Sequence, residues 1–243
     1  MFDYQAPENL LQDRIILVTG AGAGIGRTAA KAYAAHGATV ILLGRTLEKL
    51  EQVYDEIEAA GHPQPALVPL NLESAQEHDY IELANTLEQE FGRLDGILHN
   101  ASLLGVRTTI ESYDPVIWQQ VMQVNLNAPF MMTQILMPLL ERSNHASIVF
   151  TSSSVGRKAK AYWGAYGISK FATEGLMQTL ADELESVSKI RTNSGATRTQ
   201  MRADAYPAEN PASVKSAEEI MPLYLYLMGD DSLEVNGQSL DAQ

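Results

Sequence analysis

The chain has 243 residues, 45% of them hydrophobic, and its 30 acidic against 17 basic side chains give a net charge of −13. That is enough apolar material for one large core and excludes global disorder, while the acidity argues against nucleic-acid backbones or anionic membranes as main partners. No cysteine is present, which excludes disulfides, thiol nucleophiles and thiolate metal sites and fits a cytoplasmic protein.

The first 14 residues have no basic start and no long apolar run, so they do not read as a signal peptide. No stretch approaches the ~20 apolar residues of a membrane span. The apolar run 14–20 (RIILVTG) predicts a first strand, followed by a helix over 24–37 that closes at Gly37. A second strand over 38–44 leads to a helix over 46–61, and a third over 66–72 to a helix over 74–92. That helix has a capping box from Ser74 to Glu77 and ends at Gly92. A fourth strand lies at 94–100, and a helix at 114–125 starts with Asp114 as N-cap and Pro115 in its first turn. An apolar stretch with Met131, Met132 and Met137 follows and reads as core or subunit packing. A fifth strand lies at 146–152, a helix runs through 161–175, and KIRTNS (189–194) reads as a sixth strand. The Pro- and charge-rich stretch 198–215 reads as a loop or lid on the substrate side, before a helix over 216–229 opened by Ser216 and Glu219.

The strand runs are nearly continuous in Val, Ile and Leu, which suits strands covered on both faces. Strand alternating with helix predicts a parallel α/β sheet with right-handed crossovers. No linker interrupts the pattern, so residues 1–243 are read as one domain.

The first turn, TGAGAGIG, places Gly20, Gly24 and Gly26 between a strand and a helix. Such a turn turns free backbone N–H groups and the positive end of a helix dipole toward an anion. A glycine cluster alone is a weak signal; between strand and helix it predicts a dinucleotide phosphate site. At the end of the second strand, an acid would favour NAD by bonding the ribose 2′-hydroxyl. Here Gly44 holds that position and Arg45 follows, and arginine can pair bidentately with a 2′-phosphate. NADP(H) is therefore expected over NAD(H).

Tyr166 and Lys170 are four apart on a predicted helix, so their Cβ atoms lie ~5–6 Å apart. A phenol of pKa ~10 is too weak an acid for neutral-pH work unless a nearby cation draws it down. Lys170 supplies such a cation, and the small neighbours Gly164, Ala165 and Gly167 leave room for a cofactor and substrate. Ser153, 13 residues before Tyr166, can hydrogen-bond the same substrate oxygen. Trp163 reads first as packing. The histidines at 36, 62, 78, 99 and 145 are scattered, so no metal site is expected.

Together, TGAGAGIG, HNAS (99–102), MQVN (122–125) and the Ser153, Tyr166, Lys170 set resemble the short-chain dehydrogenase/reductase family over nearly the whole chain. The resemblance implies a Rossmann-type doubly wound parallel sheet of about seven strands with helices on both faces. It implies hydride transfer between a nicotinamide and a carbonyl or alcohol substrate. Tyr166 would be the acid/base and Ser153 the orienting hydroxyl. Lys170 would bind the nicotinamide ribose, and Asn125 would hold a relay water. Gly20, Gly24, Ile25, Gly26, Arg45, Asn71, Leu72, Asn100, Ala101, Tyr166, Lys170, Gly195 and Thr199 would contact the cofactor. Relatives form dimers or tetramers, so a homo-oligomer is expected. The competing reading is a non-catalytic dinucleotide-binding redox sensor or regulator.

The pattern departs from the family at three places. Ser102 stands where the family has glycine, and SLDAQ lacks its Asp–Gly–Gly ending. The sixth strand reaches Gly195 about three residues early, with no preceding proline. Two readings fit that shortening: a true deletion, or a few residues missing from the sequence. The second is preferred, because the flanks keep the pattern.

Overall fold

The computed structural model describes residues 2–144, 146–184 and 188–243, apart from the side chains of 188–193. Seven parallel strands form one sheet in the order β3-β2-β1-β4-β5-β6-β7. They are β1 (Ile15–Thr19), β2 (Thr39–Gly44), β3 (Ala66–Pro69), β4 (Gly96–His99), β5 (Ser147–Ser152), β6 (Ser188–Asn193) and β7 (Ser239–Asp241). The helices are α1 (Gly24–Ala35), α2 (Leu47–Ala59), α3 (Glu77–Phe91), α4 (Pro115–Met122), α5 (Ala128–Leu140), α6 (Gly164–Glu183), α7 (Gln200–Ala205) and α8 (Met221–Met228).

The strand residues alternate between two cores. Ile16 and Val18 of β1, with Val40 and Leu42 of β2, pack against Tyr33 of α1 and Tyr224 of α8. Leu17, Ile41 and Leu43 face the other way, onto Tyr80 of α3 and Leu136 of α5. The near-continuous apolar runs are thus buried on both faces, at roughly 1.5–3 kcal/mol for each fully buried large side chain.

Most helix boundaries follow the sequence signals. Gly37, Gly61 and Gly92 lie just past α1, α2 and α3 with φ of 97°, 75° and 73°, the left-handed region that glycine reaches without strain. Asp114 caps α4, its Oδ1 accepting from the Val116 N–H at 2.7 Å. The box at the start of α3 differs from the expectation. Ser74 is held in a turn by its own N–H, which donates to Asn71 O at 3.1 Å. Gln76 and Asp79 form the box instead. The Ser216–Glu219 box does form, but it caps a 3₁₀ turn, Glu218–Ile220, one turn ahead of α8. Between α4 and α5 the helix widens to a π-helical stretch, Gln123–Asn127, with Asn125 at its centre.

Ser194 runs directly into Gly195, and β6 pairs with its neighbours on both sides despite the shortened connection. One residue, Ser194, separates the end of β6 from Gly195. The short connection is held from the side, by Gln243 Nε2 donating to Ser194 O at 2.6 Å and Ala196 O at 3.1 Å.

Strand order reverses between β1 and β4, and the crevice for a ligand in such sheets opens at that point, beyond the strands' carboxyl ends. Thr19 fixes the crevice floor. Its hydroxyl donates to Leu98 O at 3.2 Å and accepts from the Asn100 and Ala101 N–H groups, each at 3.0 Å.

Candidate active site

A cleft of about 430 Å³ runs along these strand ends. Its lining includes Gly20, Gly24, Ile25, Arg45, Asn71, Leu72, Asn100, Ala101, Ser153, Tyr166, Lys170, Gly195 and Thr199. The fold therefore brings those sequence-predicted residues to one surface. Gly26 lies just beneath it and Asn125 off it, both buried.

At the glycine end, no side chain caps the N-terminus of α1 and no acid lies in its first turn. Gly20 and Gly24 have φ of 68° and 53°, which shape the turn. Gly26 is required for a different reason. A Cβ there would sit 2.3 Å from Gly20 O and 2.6 Å from Asn100 Nδ2. The α1 helix can approach the β1 turn only because that atom is missing. The result is an open, uncapped helix N-terminus facing a long cleft, which fits the diphosphate of a dinucleotide. Arg45 and Lys49 are exposed at the far edge of the same cleft, and neither forms an ion pair among the described residues. Lys49 was not singled out from the sequence.

At the other end, Ser153 closes β5 and Tyr166 and Lys170 project from α6. Ser153 and Tyr166 both line this end of the cleft. Lys170 Nζ lies 5.5 Å from the centre of the Tyr166 ring and donates to Thr151 O at 2.8 Å. Burial pushes the Tyr166 phenol up to about 12, against a smaller pull downward from the Ser153 hydroxyl. Burial also holds Lys170 down to about 8. Both groups are buried, and loss of water raises the phenol; the expected lowering draws on Lys170 together with the positive charge of a bound oxidised nicotinamide.

Asn125 is fully engaged. Its Oδ1 accepts from the Leu103 N–H at 2.7 Å, and its Nδ2 donates to Leu103 O and Ser169 Oγ, each at 3.0 Å. Ser169 Oγ in turn donates to Tyr166 O at 2.8 Å. One amide thus ties the segment after β4 to the helix turn that carries Tyr166. The Asn125 carbonyl accepts from Thr173 Oγ1 at 3.2 Å.

Thr199 caps α7, its Oγ1 accepting from the Arg202 N–H at 3.1 Å, and its methyl would lie 3.4 Å from a Cβ on Gly24. Segment 198–215 so lies against the glycine turn. Ser102 takes an ordinary negative φ, so it replaces the family's glycine without backbone strain. Its hydroxyl is buried in the cleft wall without a hydrogen-bond partner. Trp163 packs on Tyr166, with ring centres 5.6 Å apart, and also lines the cleft.

Residues 14–210 match the family model described as short chain dehydrogenase. The chain is 54% identical over 241 residues to the uncharacterized oxidoreductase YciK of Escherichia coli K12, covering 99% of this chain and 96% of that protein. It superposes on a short chain dehydrogenase from Pseudomonas syringae with a TM-score of 0.98, 62% identity and full coverage of both chains. A short chain dehydrogenase from Shigella flexneri, solved in complex with NADP, gives a TM-score of 0.96 at 53% identity, covering 98% of this chain and 100% of that one. With the glycine turn, the Ser153–Tyr166–Lys170 cluster and these likenesses together, the chain belongs to the short chain dehydrogenase family of oxidoreductases, enzymes that act on CH–OH and C=O groups with a nicotinamide cofactor.

Proposed function

We propose that the protein is an NADP(H)-dependent carbonyl reductase or alcohol dehydrogenase. The observation that carries the reading is that Ser153, Tyr166 and Lys170 line one end of a cleft, with Lys170 Nζ 5.5 Å from the Tyr166 ring centre, while its other end is an uncapped helix N-terminus. The nicotinamide, when bound, supplies or accepts the hydride and, when oxidised, a positive charge near the phenol. Ser153 orients the substrate oxygen and stabilises its developing charge. Tyr166 donates the proton to that oxygen, or takes it in the reverse direction. Lys170 holds the nicotinamide ribose and adds its charge to the pull on the phenol. Asn125 fixes the Leu103 segment against α6, so that the wall of the site and Tyr166 move together.

NADP(H) rather than NAD(H) follows from Gly44 in the acid's position and from Arg45 and Lys49 free at the cleft edge. The NADP held by the Shigella relative supports the same reading. Segment 198–215 acts as the substrate-side lid of one domain spanning the chain. A homodimer or homotetramer would cover Val116 of α4 and Ile168 and Phe171 of α6, which are 62%, 42% and 42% exposed on two helices that pack together. No helix among the described residues is long and apolar enough to cross a membrane. The cysteine-free composition suits the cytoplasm.

The test is Tyr166→Phe against a panel of aldehydes and ketones with NADPH. Turnover should fall by roughly 10²–10⁴-fold, the size of a general-acid contribution, with cofactor affinity nearly intact. Unchanged turnover would remove Tyr166 from the chemistry. Turnover absent from the wild type as well, with cofactor still bound, would favour a sensor.

A further inference from the structure

Beyond Ser153 and Tyr166 the cleft ends among Trp163, Met201, Arg202 and Ala205. This compartment is mostly apolar, and Val155, Leu104 and Tyr206 pack around it. Two features stand out from that apolar setting. Trp163 is 8% exposed, and its Nε1 is buried with no hydrogen-bond partner. An indole N–H only donates, so whatever satisfies it must be an acceptor. An unpaired buried donor is destabilising until such an acceptor arrives.

The second feature is charge. The chain carries a net charge of −13. Yet three cations converge on the Tyr206 ring: Arg107 at 5.0 Å, Lys160 at 5.8 Å and Arg202 at 3.9 Å from its centre. Arg107 also stands 5.0 Å from the centre of the Trp163 ring. Arg202 has a carboxylate partner, Glu209 at 2.5 Å. Arg107 and Lys160 have none among the described residues. Arg107 donates to Ala205 O, and Lys160 Nζ donates to the Tyr206 hydroxyl at 3.3 Å. The orphan N–H therefore belongs to a ring that lies against a guanidinium, Arg107, with no carboxylate partner among the described residues, within an acidic protein.

We infer that the substrate is a carbonyl compound, or the matching alcohol, that also carries a carboxylate, and that this group is received at Trp163 Nε1 in the field of Arg107. The inference rests on the oxidoreductase reading of the same site and names its substrate class. A carboxylate is planar, accepts strongly and meets both needs at once: it satisfies the indole and balances the guanidinium charge. The rim of cations also draws anions toward the mouth, so association should slow as salt rises.

The test compares matched acids and esters, which differ in charge far more than in shape. Phenylglyoxylate and 4-formylbenzoate are each titrated against their methyl esters into the NADP⁺-saturated protein by calorimetry, where no reduction can occur. At least one acid should bind about tenfold to a hundredfold more tightly than its ester, the range of a hydrogen bond to a charged group. Arg107→Gln and Trp163→Phe should each shrink that ratio severalfold, the acid losing more affinity than its ester. Melting temperatures of both variants report whether they fold. Esters binding as well as acids in both pairs, or no binding of any of the four, overturns the proposal. So does an acid preference that survives both substitutions. The titration is repeated without NADP⁺, and cofactor binding is measured separately, so failure of the oxidoreductase reading is distinguishable from failure of this one.

Discussion

Replacing Asn125 by alanine removes three hydrogen bonds at once: 2.7 Å from the Leu103 N–H, and 3.0 Å each to Leu103 O and Ser169 Oγ. At about 1 kcal/mol net for each, the loss is roughly 3 kcal/mol, and it leaves both main-chain groups of Leu103 without this partner. For a chain of this size, each kcal/mol shifts the melting temperature by about 2–4 °C, so a fall of about 6–12 °C is expected. The damage also reaches the chemistry, because Ser169 bridges Asn125 to the main chain of Tyr166 at 2.8 Å. Asn125→Asp should do no better. It keeps an acceptor for the Leu103 N–H but sets a buried carboxylate oxygen against Leu103 O, where the amide had donated. The assay is thermal unfolding followed by circular dichroism, paired with NADPH titration of each variant. A melting temperature unchanged within about 1 °C for Asn125→Ala would refute the clamp and leave Asn125 only the relay role that the family resemblance implies.

Further predictions concern pH and the glycine turn. Burial holds His99 down to about 3, with its Nε2 against Thr133 Oγ1 at 2.9 Å. The unfolded chain takes up this proton as pH falls through about 6.5 while the folded chain does not. Stability from His99 is thus fully present above pH 6.5 and is lost as pH falls, with a slope near 1.4 kcal/mol per pH unit once the unfolded histidine is protonated. Urea melts at pH 7.5, 6.0 and 5.0 should show the trend, and His99→Asn should flatten it; an unaltered slope would contradict it. In Gly26→Ala, the added methyl meets Gly20 O at 2.3 Å, a main-chain atom that cannot swing aside. Overpacking of about 1–3 kcal/mol and a weakened cofactor site should follow, and a variant with wild-type melting and NADPH affinity would show that α1 and β1 can separate freely.

The features set by local chain geometry were legible from the sequence. The strand runs, the glycine turn and the Asp114 cap each depend on a few adjacent residues, and the structure places them within a residue or three of expectation. The set Ser153, Tyr166 and Lys170 could be grouped because helix spacing and one strand end fix their relation. What escaped depends on neighbours distant in sequence. The N-cap of α3 moved from Ser74 to Gln76 because Asn71 engages Ser74 first. The π-helical stretch at Asn125 follows from its bonds to Leu103 and Ser169, which no local propensity encodes. The pull of Lys170 on Tyr166 was read from adjacency, but the burial that opposes it comes from the whole fold. Trp163 looked like packing, and it does pack; that it also presents an unpartnered N–H depends on Met201 and Ala205 closing the cleft from 35 or more residues away.

The central claim is that this cleft takes NADP(H) for hydride transfer, and the most direct measurement is fluorescence titration of the purified protein with NADPH and NADH, alongside Arg45→Ser. The account predicts clear NADPH preference in the wild type and loss of most of that preference in the variant, with NADH affinity little changed. Equal binding of the two cofactors would contradict the role given to Arg45. Failure of both to bind would contradict the dinucleotide site itself and point to the short connection before Gly195 as the place where the family's geometry is broken.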